Sequence, residues 1–212
     1  GYTASTGNND FGYTGGGYPS VSTVDRLDYS NDTANTVEKG SLSVARYGLA
    51  ATGNQSFGYF VGGQSKTTVD RVDYSSDTDT ASPKGPLTGG TRYNTATGNA
   101  NFGYVSDGHP IPKTLIYRID YSNDTETAVA KGPLAAGATY RGATSSSDFG
   151  YFSGGQNPSS AVRSEISRID YSNDTATAAL KGNLSIAKNK HAGTSSRSHG
   201  LPIPQPTIAA PV

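Results

Sequence analysis

An all-β fold of repeated four-stranded units is what the sequence predicts, on three observations. Phe-Gly-Tyr recurs at Phe11, Phe57, Phe102 and Phe149, and Asp-Tyr-Ser-(Asn/Ser)-Asp-Thr follows from Asp28, Asp73, Asp120 and Asp170. The spacing is held: Arg26 to Lys39, Arg71 to Lys84, Arg118 to Lys131 and Arg168 to Lys181 are each 13 residues, and Lys39, Lys84 and Lys131 each lie 18 before the next Phe. Between these marks the apolar residues alternate in short runs, with no sustained helical period.

The second repeat shows each element in turn. Phe57, Tyr59 and Val61 share one face of a strand that stops at Gly62-Gly63. From Thr68 to Tyr74 a second strand places Val69, Arg71 and Asp73 together, with Asp70, Val72 and Tyr74 opposite. Ser75-Ser-Asp-Thr is turn chemistry, because short polar side chains bond their own backbone. Residues 78–82 read as a third strand and 93–97 as a fourth. Only the Phe-to-Arg distance varies (15, 14, 16 and 19), so insertions are confined to the loop between the first two strands. Surface loops accept such insertions cheaply and packed strands do not.

Four short antiparallel strands in some 45–50 residues match one blade of a β-propeller. On the motif boundaries the blades run over residues 11–56, 57–101, 102–148 and 149–198. Residues 1–10 form a spare fourth strand expected to complete the last blade, and 199–212 are a Pro-rich tail. Both ends fall mid-blade and the chain has no Met. The expectation is a chain incomplete alone.

Composition fits this reading. Leu, Ile, Val and Phe make 34 of 212 residues, about 16%, too few for a large helical core. Stacked repeats need only a thin apolar layer between neighbours. With 17 basic and 17 acidic residues the net charge is zero, which gives no electrostatic case for nucleic acid. No apolar run is long enough to insert in a membrane as a helix. With no Cys there is neither disulfide nor thiolate chemistry.

The unit resembles a kelch repeat. Tyr59-Phe-Val-Gly-Gly, Val69-Asp-Arg-Val-Asp-Tyr, Asp77-Thr-Asp-Thr and Pro86-Leu occupy the places of the glycine-doublet strand, the Tyr-Asp-like turn strand, the threonine strand and the following segment. Two departures stand out. The kelch tryptophan is replaced by Thr36, Ala81, Ala128 and Ala178, and the third repeat has Ser106-Asp107-Gly108 where the doublet belongs. The repeat wording is also similar to proteins of marine tailed phages. That similarity implies a virion-surface or tail-associated component, on a virion or extracellular.

Two sets of residues are candidates for function. The recurrent Arg-x-Asp (Arg26/Asp28, Arg71/Asp73, Arg118/Asp120, Arg168/Asp170) reads as a repeated structural ion pair. The variable loops emerge on one side of the propeller and offer Tyr18, Gln64, Lys66, His109, Lys113, Asn157, Arg163 and Glu165 as a binding face. The histidines do not make a metal site, and no phosphate loop or catalytic triad appears. The function expected is therefore non-enzymatic and without cofactor: a structural or interaction propeller acting in assembly or host-surface contact. Its partners would be proteins or copies of itself. The alternatives are a carbohydrate-binding propeller, with cell-surface glycan as ligand, and a kelch-type protein-interaction module.

Overall fold

The computed structural model describes residues 2–109 and 114–195. It is all-β, with four antiparallel four-stranded sheets and two short 3-10 turns, Tyr74–Ser76 and Tyr171–Asn173, among those residues. The first sheet is β1 (Ala4–Gly7), β2 (Phe11–Gly15), β3 (Val24–Asp28) and β4 (Val37–Lys39). The second is β5 (Ala50–Gly53), β6 (Phe57–Val61), β7 (Val69–Asp73) and β8 (Ser82–Pro83). The third is β9 (Thr95–Gly98), β10 (Phe102–Ser106), β11 (Ile116–Asp120) and β12 (Val129–Ala130). The fourth is β13 (Gly142–Ser145), β14 (Phe149–Ser153), β15 (Glu165–Asp170) and β16 (Ala179–Asn183). In every sheet the strands neighbour one another in chain order.

Each sheet begins one strand earlier than the motif boundaries 11–56, 57–101, 102–148 and 149–198 imply. The strand before Phe-Gly-Tyr is bonded to it: Ala4 pairs with Gly15, Ala50 with Val61 and Gly142 with Ser153. Residues 1–10 thus supply the first strand of the first sheet and do not complete the last. The physical reason is turn length. Asn8 accepts from the backbone amides of Asp10 and Phe11, and Asn54 and Asn99 repeat this, so a tight turn folds each first strand onto the second. The expected third strand at 78–82 shrinks to Ser82–Pro83, because Asp79 and its neighbours belong to the turn.

The core lies between sheets. Tyr13, Val24, Leu42 and Leu49 of the first repeat meet Phe60, Val72 and Ala81 of the second. Tyr59, Val69 and Leu87 then meet Ile119, Tyr121 and Ala128, and Tyr104, Ile116 and Leu134 meet Phe152, Ile169 and Ala178. Ala81, Ala128 and Ala178, one at each of these contacts, are all buried. Tyr13, Tyr59 and Tyr104, at the same position in the first three repeats, are fully buried and supply the bulk that the scarce aliphatic residues do not.

Candidate functional site

The repeated charges are joined differently from the Arg-x-Asp expectation. Asp28 turns back to its own loop and accepts from the Ser30 amide at 2.8 Å and its hydroxyl at 2.6 Å. Asp73, Asp120 and Asp170 do the same with Ser75, Ser122 and Ser172. These bonds, the serine hydroxyl's foremost, hold all four carboxyls below the usual range. The arginine of each of the first three pairs instead crosses to the next repeat. Arg26 meets Asp77, Arg71 meets Asp124 and Arg118 meets Asp174, each at 2.8 Å.

That second aspartate, four residues after the first, is the hub of each junction. Asp77 also takes Lys39 at 3.1 Å and the Tyr13 hydroxyl at 2.8 Å, and Asp124 and Asp174 repeat the pattern with Lys84/Tyr59 and Lys131/Tyr104. Burial works against the Asp77 and Asp174 charges, but these donors outweigh it and keep both carboxyls below their ordinary value. Burial, then the aspartate, pushes the Tyr13, Tyr59 and Tyr104 hydroxyls far up. The junction closes with stacked tyrosines: Tyr13 on Tyr74, Tyr59 on Tyr121 and Tyr104 on Tyr171, with centroids 4.6–4.8 Å apart.

The loop candidates fall into separate places. Tyr18 is 65% exposed and meets the edge of Tyr47 at 5.4 Å. Gln64 donates to Ser20 at 2.7 Å, tying the second loop to the first. Lys66 is exposed and bridges to Thr91 through its backbone. His109 accepts from Arg92 Nε at 2.8 Å and lies edge-on to Tyr93. Asn157 accepts from the Ala161 amide within its own loop, and Arg163 pairs with Glu165 at 3.2 Å. Lys113 lies outside the described residues.

A set of tyrosines absent from that list draws these loops together. Tyr2, Tyr47, Tyr93 and Tyr140 lie just before the first strands of the four sheets, on the side from which the variable loops emerge. Tyr2 reaches both Tyr47 (6.1 Å) and Tyr93 (5.2 Å), and Tyr93 reaches Tyr140 (4.6 Å). Burial, then the neighbouring tyrosines, raises the Tyr93 and Tyr140 hydroxyls against the opposing Arg92 charge. Lys190 lies over the Tyr140 ring at 5.2 Å.

A run of backbone bonds positions the cluster. The Gly48 amide donates to Tyr2, Tyr93 to Gly48, Tyr140 to Tyr93 and Lys190 to Tyr140. Tyr2, Gly48, Tyr93, Tyr140 and Lys190 all hold φ between 53° and 68°. A side chain there costs about 1–2 kcal/mol. Three tyrosines bear that cost in register, each held by its neighbours' bonds. No alternation signal marks them, because they sit in turns.

Away from this mouth, the first strands of the four sheets line a groove of about 340 Å³ with Thr6, Thr52, Thr97 and Ser145. Each threonine hydroxyl donates to the carbonyl of the next strand's threonine, and Thr144 continues the series to Thr194. Arg46 and Asp70 form a fully buried ion pair beneath the loops that the repeat pattern did not announce.

No protein-family model and no curated protein matches this chain. A solved structure of the protein YjhT is similar in fold, with 11% identity and a TM-score of 0.72 over 89% of this chain and 67% of that one.

Proposed function

We propose that the chain is a kelch-like β-propeller module that works by binding rather than catalysis, and that its tyrosine mouth contacts surface saccharides. The observation that carries this reading is the contiguous cluster of Tyr2, Tyr18, Tyr47, Tyr93 and Tyr140. Tyr2 and Tyr18 are 44% and 65% exposed, a large apolar area to leave in water. Tyrosine combines a flat apolar face with a polar tip, the pairing that suits the C–H faces and hydroxyls of a sugar ring. His109, Arg92 and Lys190 at the rim supply polar groups that orient a ligand.

Host-surface contact by a virion-surface or tail-fibre component is the form of this function that the phage-like wording of the repeats supports. Mass spectrometry of purified particles from the source tests that placement. A glycan array tests the binding itself. The wild-type chain is expected to retain a defined set of saccharides, and Tyr18→Ala and Tyr47→Ala to lose binding by about tenfold or more. An array with no retained saccharide overturns the carbohydrate reading.

A further inference from the structure

We infer that copies of this chain associate head to tail, the first repeat of one docking on the fourth repeat of another. Each of the three junctions has a socket on one side and a plug on the other. The socket is Tyr13, Arg26, Lys39 and Gly40 in the first repeat, and the plug is Tyr74 and Asp77 in the second. The same atoms meet in the second and third junctions.

The fourth repeat carries a whole socket that none of the described residues occupies. Tyr151, Arg168, Lys181 and Gly182 stand where their equivalents hold a neighbour. Among the described residues Arg168 and Lys181 have no carboxylate partner, and Lys181 is exposed where Lys39, Lys84 and Lys131 have side chains only 13% exposed. The socket is also preformed. Arg168 lies over the Phe149 ring at 4.1 Å, as Arg26, Arg71 and Arg118 lie over theirs at 4.2–4.5 Å. Gly182 is the most telling residue. A Cβ on Gly40, Gly85 or Gly132 would sit within 1.9 Å of the next repeat's carbonyl oxygen, whereas one on Gly182 would meet nothing within 4 Å. Among the described residues no neighbour stands against this glycine.

The first repeat presents the matching plug. Tyr29 is 50% exposed and Asp32 is exposed, while Asp77, Asp124 and Asp174 are buried. The plug is shaped in advance: the Tyr29 hydroxyl lies against Gly12 as Tyr74, Tyr121 and Tyr171 lie against Gly58, Gly103 and Gly150. Asp28 caps the turn as its three equivalents do. Plug and socket are therefore complementary in charge, in ring stacking and in the close backbone approach, residue for residue with three junctions already built. A face of one kind meeting a face of another makes a heterologous contact, which closes as a ring or extends as an array.

One segment must yield. Lys190–Ser195 lies beside β13 where the incoming Tyr2 and β1 belong, since Lys190 donates to Tyr140 as Gly48 does to Tyr2, and Thr194 takes from Thr144 the bond that Thr52 takes from Thr6. Thr194 and Ser195 are held by side-chain bonds to Thr144 and Ser145, and no strand pairing is formed there. β1 brings its own partner, β2, and is the better occupant.

Sedimentation velocity on the full chain tests this with two charge reversals. Wild type is expected to associate with rising concentration. Asp32→Arg removes the plug and Arg168→Asp the socket, and each alone is expected to weaken association at least about a hundredfold. Mixed in equal amounts they are expected to regain association, because one intact plug and one intact socket remain and the two reversed faces are again opposite in charge. Circular dichroism of each variant shows that the fold is kept. A wild type that stays monomeric throughout, association that survives both reversals, or a mixture that does not associate overturns the inference.

Discussion

Arg46 and Asp70 meet at 2.7 Å with both side chains wholly enclosed. The pair is satisfied on every side. Asp70 also accepts from Ser43, and Arg46 donates to the carbonyls of Val44, Phe60 and Gly62. Removing one partner leaves a buried charge alone. Arg46→Met is expected to cost about 3–5 kcal/mol in urea unfolding, and Arg46→Met with Asp70→Leu substantially less, because the orphaned charge is gone. The pair belongs to the first junction alone; Thr91 and Ala138 stand at the Arg46 position of the next two repeats.

The junction aspartates set a second contrast. Asp124 joins Arg71, Lys84 and Tyr59, whereas Asp32, the same turn residue in the first repeat, is exposed. Asp124→Ala is expected to lower the stability of the dilute chain by about 3 kcal/mol, and Asp32→Ala by less than about 0.5 kcal/mol. Equal effects would remove the junction from its place as the main stabilising unit.

Glycine substitution separates the two kinds of repeat end. Gly85→Ala forces a methyl onto the Glu126 carbonyl oxygen and is expected to destabilise by more than about 2 kcal/mol. Gly182→Ala is expected to leave thermal unfolding of the dilute chain within about 0.5 kcal/mol of wild type.

The dependence on pH follows from two groups of residues. His109 accepts from Arg92, so its Nδ1 is unprotonated; burial and then the Arg92 charge hold its pKa below the ordinary 6.5. Stability from the neutral imidazole is complete above 6.5 and is lost as the pH falls through the lower folded value. An NMR titration of His109 is expected to show a midpoint below 6.5, and Arg92→Ala to raise it. Asp77 and Asp174, also held low, add stability that is complete above the ordinary carboxylate range and lost below it.

Much of the fold was legible because the repeat is strict. The held spacing from Arg to Lys and from Lys to Phe gave four units, and Asp-Tyr-Ser-Asn-Asp-Thr gave a turn whose first aspartate caps Ser30 and its equivalents. Alternation shows which residues are strands but not which strand each one joins, so boundaries drawn at Phe-Gly-Tyr assign β5, β9 and β13 to the preceding sheet and β1 to the last. The partner of Arg26 was hidden for a related reason. Asp77 lies 51 residues away, and the nearer Asp28 fits the same motif. The tyrosine mouth escaped because Tyr47 is one residue out of step with Tyr93 and Tyr140, where Gly48 holds the aligned position.

Because the chain has no cysteine, introduced ones report contacts without background. In the first junction the Ala81 amide donates to the Ser41 carbonyl at 2.8 Å. The equivalent open positions are Thr36 on the plug and Asn183 on the socket. A chain carrying Ser41→Cys and Ala81→Cys is expected to close an internal disulfide under mild oxidation and so calibrates the geometry. Thr36→Cys mixed with Asn183→Cys is then expected to yield one crosslinked heterodimer. If the internal pair closes while the mixture stays uncrosslinked, the two ends of the repeat array do not meet and the complementarity between them has no role in assembly.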